Sequence, residues 1–110
     1  MIIGRDGNTT IITQEITSVK ALVNKIEGIY DAHKNYHLII KLSSLEKIPK
    51  EDILEFLRLS NNHRASKKSF VIVSEKVDLD QVPDELAVVP TLQEAYDLIE
   101  MEDIERDLGF

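Results

Sequence analysis

The sequence predicts an α/β domain: a mixed sheet of four or five strands, opened by an N-terminal β-hairpin, with helices packed mainly on one face. Three observations predict it. The continuous apolar runs Leu38-Ile39-Ile40 and SFVIVS, residues 69–74, suit central strands covered on both faces. Apolar residues recur at helical spacing between and after those runs. The length of 110 residues allows one domain, residues 1–110, and not comfortably two.

Each element has its own signal. Met1-Ile2-Ile3-Gly4 and residues 9–16 read as short strands, and the Asp6-Gly7-Asn8 between them is a hairpin turn signal. Thr17 or Ser18 suits the cap of a first helix, whose stripe is Val19, Leu22, Val23, Ile26, Ile29 and Tyr30, with His33 at its end. Gly28 weakens that helix without ending it. Residues 36–42 are the next strand. Pro49 then suits the first turn of a second helix, with Glu51 and Asp52 at its positive end. Ile53, Leu54, Phe56 and Leu57 form its inner face, extended to Ser60. Arg58, Arg64, Lys67 and Lys68 load its C-terminal half. Residues 69–74 form another strand, and residues 77–86 a loop with one helical turn. Val88-Val89 is a short strand. Thr91 and Glu94 have capping-box spacing, and Leu92, Ala95, Tyr96 and Ile99 make the stripe of the last helix. In the tail, residues 101–110, Ile104, Leu108 and Phe110 fall out of phase, which predicts a short separate helix or a frayed end. The order ββαβαβ(α)βα fits one mixed sheet with helices against it. The expected core includes Val19, Leu22, Ile26, Leu38, Ile40, Ile53, Leu57, Val71, Val73, Leu92, Ala95 and Ile99.

Composition narrows the function classes. The chain has no cysteine, which excludes disulfides, thiolate nucleophiles and zinc–thiolate sites and suits a reducing cytoplasm. No apolar run approaches a membrane span, and the first residues lack a signal-peptide layout. The expectation is a cytoplasmic protein without membrane insertion. The net charge of -7 is unevenly spread. Residues 1–73 hold eleven basic and eight acidic residues, and residues 74–110 hold two and twelve. The acidic last third repels a nucleic-acid backbone; it reads first as charge that keeps the protein soluble, and alternatively as a surface for a basic partner.

The stretch LIIKLSSLEKIPKEDI, residues 38–53, carries a family resemblance. It resembles the STAS domain of anti-sigma factor antagonists and of the cytoplasmic ends of sulfate transporters. There a hydrophobic strand runs into Asp-Leu-Ser-Gly, an apolar spacer, then Asp-Ser-Ser-Gly and an apolar helix residue. Here Lys41-Leu42-Ser43-Ser44 stands at the first part, residues 45–48 match the spacer, and Pro49-Lys50-Glu51-Asp52 stands at the second, followed by Ile53. VVPTLQEAYDLI, residues 88–99, is similar to the family ending. The resemblance covers nearly the whole chain and rests on order and spacing more than on identities. It implies a non-enzymatic regulatory module that docks a protein partner at this loop, through Lys47, Pro49, Lys50, Glu51 and Asp52.

The chain departs from the family at the phosphorylated serine. Lys50, Glu51 and Asp52 offer no hydroxyl, so the family's switch, a phosphate adding charge and acceptors at an interface, has no acceptor there. Glu51 and Asp52 read as ordinary first-turn residues, as fixed stand-ins for a phosphate, or as a phosphorylation-independent contact. Ser43 and Ser44 lie upstream and read as turn residues that bond backbone.

Other chemistry finds little support. His33, His37 and His63 lack the spacing that sets two ligands on one helix face. His33 reads as a helix-end cation. Asp78, Asp80, Asp84 and Glu85 lack the glycine and final glutamate of a calcium loop. The four glycines form no phosphate cradle. The basic run of residues 61–68 has no interleaved aromatics and reads as a solvated helix end. No catalytic residue, cofactor, metal or nucleic acid is expected. The alternative function is a small-ligand or anion carrier that uses the N-terminus of the second helix.

Overall fold

The computed structural model describes every residue except Ile16, Ser44, Leu45 and Phe110. The elements run β1 (Ile2–Asp6), β2 (Thr9–Thr13), α1 (Val19–Ile29), β3 (His37–Lys41), α2 (Lys50–Leu54), α3 (Leu57–Ala65), β4 (Phe70–Val73), β5 (Ala87–Val89) and α4 (Leu92–Asp107), with 3₁₀ turns at Tyr30–Ala32 and Leu79–Gln81. The strands lie in one sheet in the order β1-β2-β3-β4-β5. β1 is antiparallel to β2, and the other neighbours are parallel. The hairpin turns at Gly7, whose φ of +58° is a conformation that glycine adopts without a Cβ clash.

This strand order dictates where the helices go. Each crossover from β2 to β3 and from β3 to β4 steps one strand in the same direction. Right-handed connections therefore put their helices on the same face. There Val19, Leu22, Val23 and Ile26 of α1 join Ile53, Phe56 and Leu59 against Ile12, Leu38, Ile40, Phe70 and Ile72. α4 follows the last strand and has no crossover to complete. It covers the opposite face, where Ala95 and Ile99 pack on Ile39, Val71 and Val73. The helices thus lie mainly on one face, and α4 alone explains why β3 and β4 are apolar on both of theirs.

The structure corrects three readings of the helices. The second helix is two: i→i−3 bonds from Glu55 and Phe56 to Asp52 and Ile53 tighten the chain before α3 resumes with Ser60 N–H to the Phe56 carbonyl. Its buried arc is Ile53, Phe56, Leu59, Ser60 and His63, and Leu57 is only half-buried. In a helix of 3.6 residues per turn, position 57 sits at the margin of an arc centred between 56 and 63. Leu92, in the first turn of α4, is also half-buried. The tail is neither frayed nor a separate helix through residue 107, because α4 continues unbroken to Asp107. Ile104 and Leu108 are exposed, which accounts for their phase, and Phe110 lies outside the described residues.

Candidate functional site

β2 and β3 run parallel and end side by side, and their exits diverge into separate connections. Between those connections opens a cleft of about 620 Å³ lined by Gln14, Thr17, Ser43, Lys47, Ile48, Pro49 and Asp52, among others. Its base is a latch between the two strand exits. Gln14 is 7% exposed. Its N–H donates to the Lys41 carbonyl at 2.8 Å, its Oε1 accepts the Ser43 N–H at 3.0 Å, and its Nε2 donates to the Thr17 carbonyl at 2.9 Å. The Ser43 hydroxyl returns a bond to the Gln14 carbonyl at 2.8 Å. Three of these bonds cross between the strand exits, and the Thr17 bond fixes the Gln14 side chain within its own connection.

The far side of the loop is tied down separately. Buried Ile48 forms a parallel bridge with Val77, and its N–H donates to the Lys76 carbonyl at 2.8 Å. This holds Lys47 and Pro49 on either side of it in place. Pro49 is extended, at φ -69° and ψ 154°, as its ring requires. Its carbonyl accepts from the Asp52 and Ile53 N–H groups to start α2. Ile53 is 1% exposed and anchors that turn in the core.

Of the residues expected to meet a partner, Lys47, Pro49 and Asp52 line the cleft together. Lys50 is exposed and Glu51 faces another hollow, of about 400 Å³, with Val23, Asn24, Leu54 and Arg58. Ser43 bonds backbone as expected, though across to Gln14, just past β2, instead of within its own turn. Ser44 and Leu45 lie outside the described residues. The charged lining of the cleft is Glu15, Glu46 and Asp52 against Lys47. Glu15 pairs with the Met1 ammonium, a hydrogen-bonded ion pair that holds its carboxyl below the usual range. Gln14 was not legible as a site residue. A polar residue after a strand has no motif, and its partner Ser43 is 29 positions away.

The histidines are structural. His63 is fully buried; its Nε2 donates to the Tyr36 carbonyl at 2.8 Å, and its Nδ1 accepts from the Tyr30 hydroxyl at 2.7 Å. His37 accepts the Ser69 N–H at Nδ1 (2.9 Å) and donates from Nε2 to the Asp103 carboxylate (3.1 Å). Ser69 in turn donates to Glu102 at 2.6 Å and accepts from Arg106 at 3.0 Å. This network fastens α4 to the starts of β3 and β4. His33 is no helix-end cation: its Nδ1 lies 2.9 Å from the Arg5 guanidinium. Burial and the Arg5 charge lower its pKa, so it stays neutral and accepts. Among the described residues, no group of three His, Asp or Glu side chains is placed to hold a metal ion.

No protein-family model matches the chain, and no curated protein matches it significantly. Among the described residues, no helix is long and apolar enough to cross a membrane.

Proposed function

We propose that the chain is a cytoplasmic, STAS-like interaction module that docks a protein partner on the surface of Lys47, Pro49, Lys50, Glu51 and Asp52, without catalysis and without a phosphorylation switch. The observation that carries this reading is the anchoring of an exposed loop. The Gln14–Ser43 latch holds one side, and the Ile48–Val77 bridge and Ile53 hold the other. Lys47, Pro49, Lys50 and Glu51 are nonetheless exposed. A surface already ordered before binding loses little conformational entropy when a partner arrives.

The topology supports the same reading. Open α/β sheets hold cofactors in the crevice where the strand order reverses. The order β1-β2-β3-β4-β5 never reverses. The anion-carrier alternative is weaker on two counts. α2 has five residues, too short for a sizeable dipole, and three carboxylates line the cleft against one lysine. The absence of a hydroxyl at positions 50–52 and the use of the Ser43 hydroxyl in the latch support a module without a phosphate switch.

The test is a photo-crosslinking residue placed at Lys47, at Lys50 and, as a control, at exposed Lys20 of α1, in cells that make the protein. The expected result is one discrete protein adduct from positions 47 and 50 and none from position 20. Equal labelling at all three positions, or none at 47 and 50, rules the surface out.

A further inference from the structure

α4 carries a second apolar face that the sheet does not use. Met101, Ile104 and Leu108 are 53%, 53% and 67% exposed. At 100° per residue they share one side of the helix, opposite Ala95 and Ile99 on the core side. Beside this stripe, between α4 and the β1–β2 turn, lies a groove of about 470 Å³. Its charged lining is Asp6, Glu100, Asp103 and Asp107, with Ile99 and Ile104 as apolar lining and no basic residue. Ile104 belongs to both features, so stripe and groove form one continuous surface. The groove lies at the start of β2, and the cleft described above lies beyond its end.

We propose that this surface docks a basic amphipathic helix from another protein. Its apolar residues would cover Met101, Ile104 and Leu108, and a lysine or arginine would enter the groove. Charge selects that occupant. α4 contains seven acids and one base. That base, Arg106, is engaged by Asp103 at 3.1 Å and by the Ser69 hydroxyl at 3.0 Å. Among the described residues, Glu100 and Asp107 have no cationic partner. A second copy docking through the same face would set acid against acid, which costs affinity and selects against that partner. Nucleic acid and anionic lipid are repelled for the same reason. A helix fits the stripe because apolar anchors at i, i+3 and i+7 are what a docked amphipathic helix presents in return.

The experiment measures binding of a synthetic helical peptide of about 16 residues, with leucines at i, i+3 and i+7 flanked by lysine and arginine, by fluorescence anisotropy. A scrambled peptide of the same composition and a peptide with glutamate in place of the basic residues are the controls. The expected result is binding of the basic amphipathic peptide at least tenfold tighter than either control. It should weaken at least tenfold in Ile104→Ser/Leu108→Ser, and Glu100→Lys/Asp107→Lys should shift the preference to the acidic peptide. Because all four positions are solvent-exposed, unfolding is checked by circular dichroism, and a variant that unfolds is replaced by the milder Leu108→Ala or Glu100→Gln. Equal binding of the scrambled peptide, indifference to the α4 variants, or a dimer that Ile104→Ser dissolves would each overturn the proposal.

Discussion

His63 has no exposed surface, and its two ring nitrogens are committed in a way that fixes the tautomer. A carbonyl can only accept, so Nε2 carries the proton to Tyr36, and Nδ1 must accept from the Tyr30 hydroxyl. A second proton would make Nδ1 a donor, force the Tyr30 hydroxyl to turn and accept, and place a charge in a buried site beside the Phe70 ring. Burial accordingly pushes the pKa down to about 4. Burial lowers that of His37 as well, against the opposing pull of Asp103. The unfolded chain takes up these protons first, near the ordinary histidine value of about 6.5. Stability is therefore complete above that pH and is lost as pH falls towards 4. For His63 alone the loss is about 3 kcal/mol by pH 4. Gln in its place keeps a donor and an acceptor but cannot titrate. Urea titrations of both proteins across this range should show His63→Gln less stable at pH 7 but with a flatter decline from pH 6.5 to 4. Parallel declines would mean that His63 is not the buried neutral group.

Among the elements, the α2–α3 segment separates burial from sequence pattern most clearly. Phe56 lies in the tight turn between the two helices, fully buried, with its ring centroid 6.2 Å from that of Phe70. Leu57, the next residue, is half-buried. Phe56→Ala should cost about 3–5 kcal/mol and Leu57→Ala less than about 2, because a partly exposed site leaves a smaller cavity. Chemical denaturation checks both, and equal costs would contradict the difference in burial between the two side chains. The apolar pattern points to Leu57 because leucine and phenylalanine look alike in a periodic stripe, and a stripe counted from apolar residues alone does not include His63. Counting positions 53, 56, 60 and 63 as one arc would have found the buried histidine. α4 shows the opposite error. Its outward apolar stripe removes the periodic contrast in residues 101–107, so a continuous helix reads as a short separate helix or a frayed end. A second independent check lies at Lys67, which follows the C-cap of α3 with φ +64°, a left-handed conformation usual for glycine after a helix. Lys67→Gly should raise stability by up to about 1 kcal/mol, measurable as an increase in Tm; a decrease would mean that the lysine side chain supports the helix end.

At the scale of the whole molecule, the sheet was legible because its signals are local. Asp6-Gly7 turns the hairpin, the runs at residues 38–40 and 70–73 announce two central strands, and the switch from continuous to 3.6-residue periodicity marks each helix. The distribution of helices over two faces was legible only in part. It follows from crossover handedness for α1, α2 and α3, but nothing in the order of elements places α4. The candidate site was legible as a loop but not as a built surface. Lys47, Pro49 and Asp52 came from position along the chain. The Gln14–Ser43 latch and the Ile48–Val77 bridge that hold them join residues 29 positions apart in each case, and such pairings leave no trace in one sequence. The resulting picture is a scaffold with a loop whose described residues are anchored beyond the ends of β2 and β3, and an acidic, apolar-striped helix near the start of β2. The most direct test of the loop's role is hydrogen exchange of the protein alone and with the crosslinked partner, purified as the free complex. The account predicts slower exchange on binding in the amides of residues 46–53, with the amides of α1 unchanged. Protection confined to α4 or to β1, with residues 46–53 exchanging as in the free protein, would contradict it.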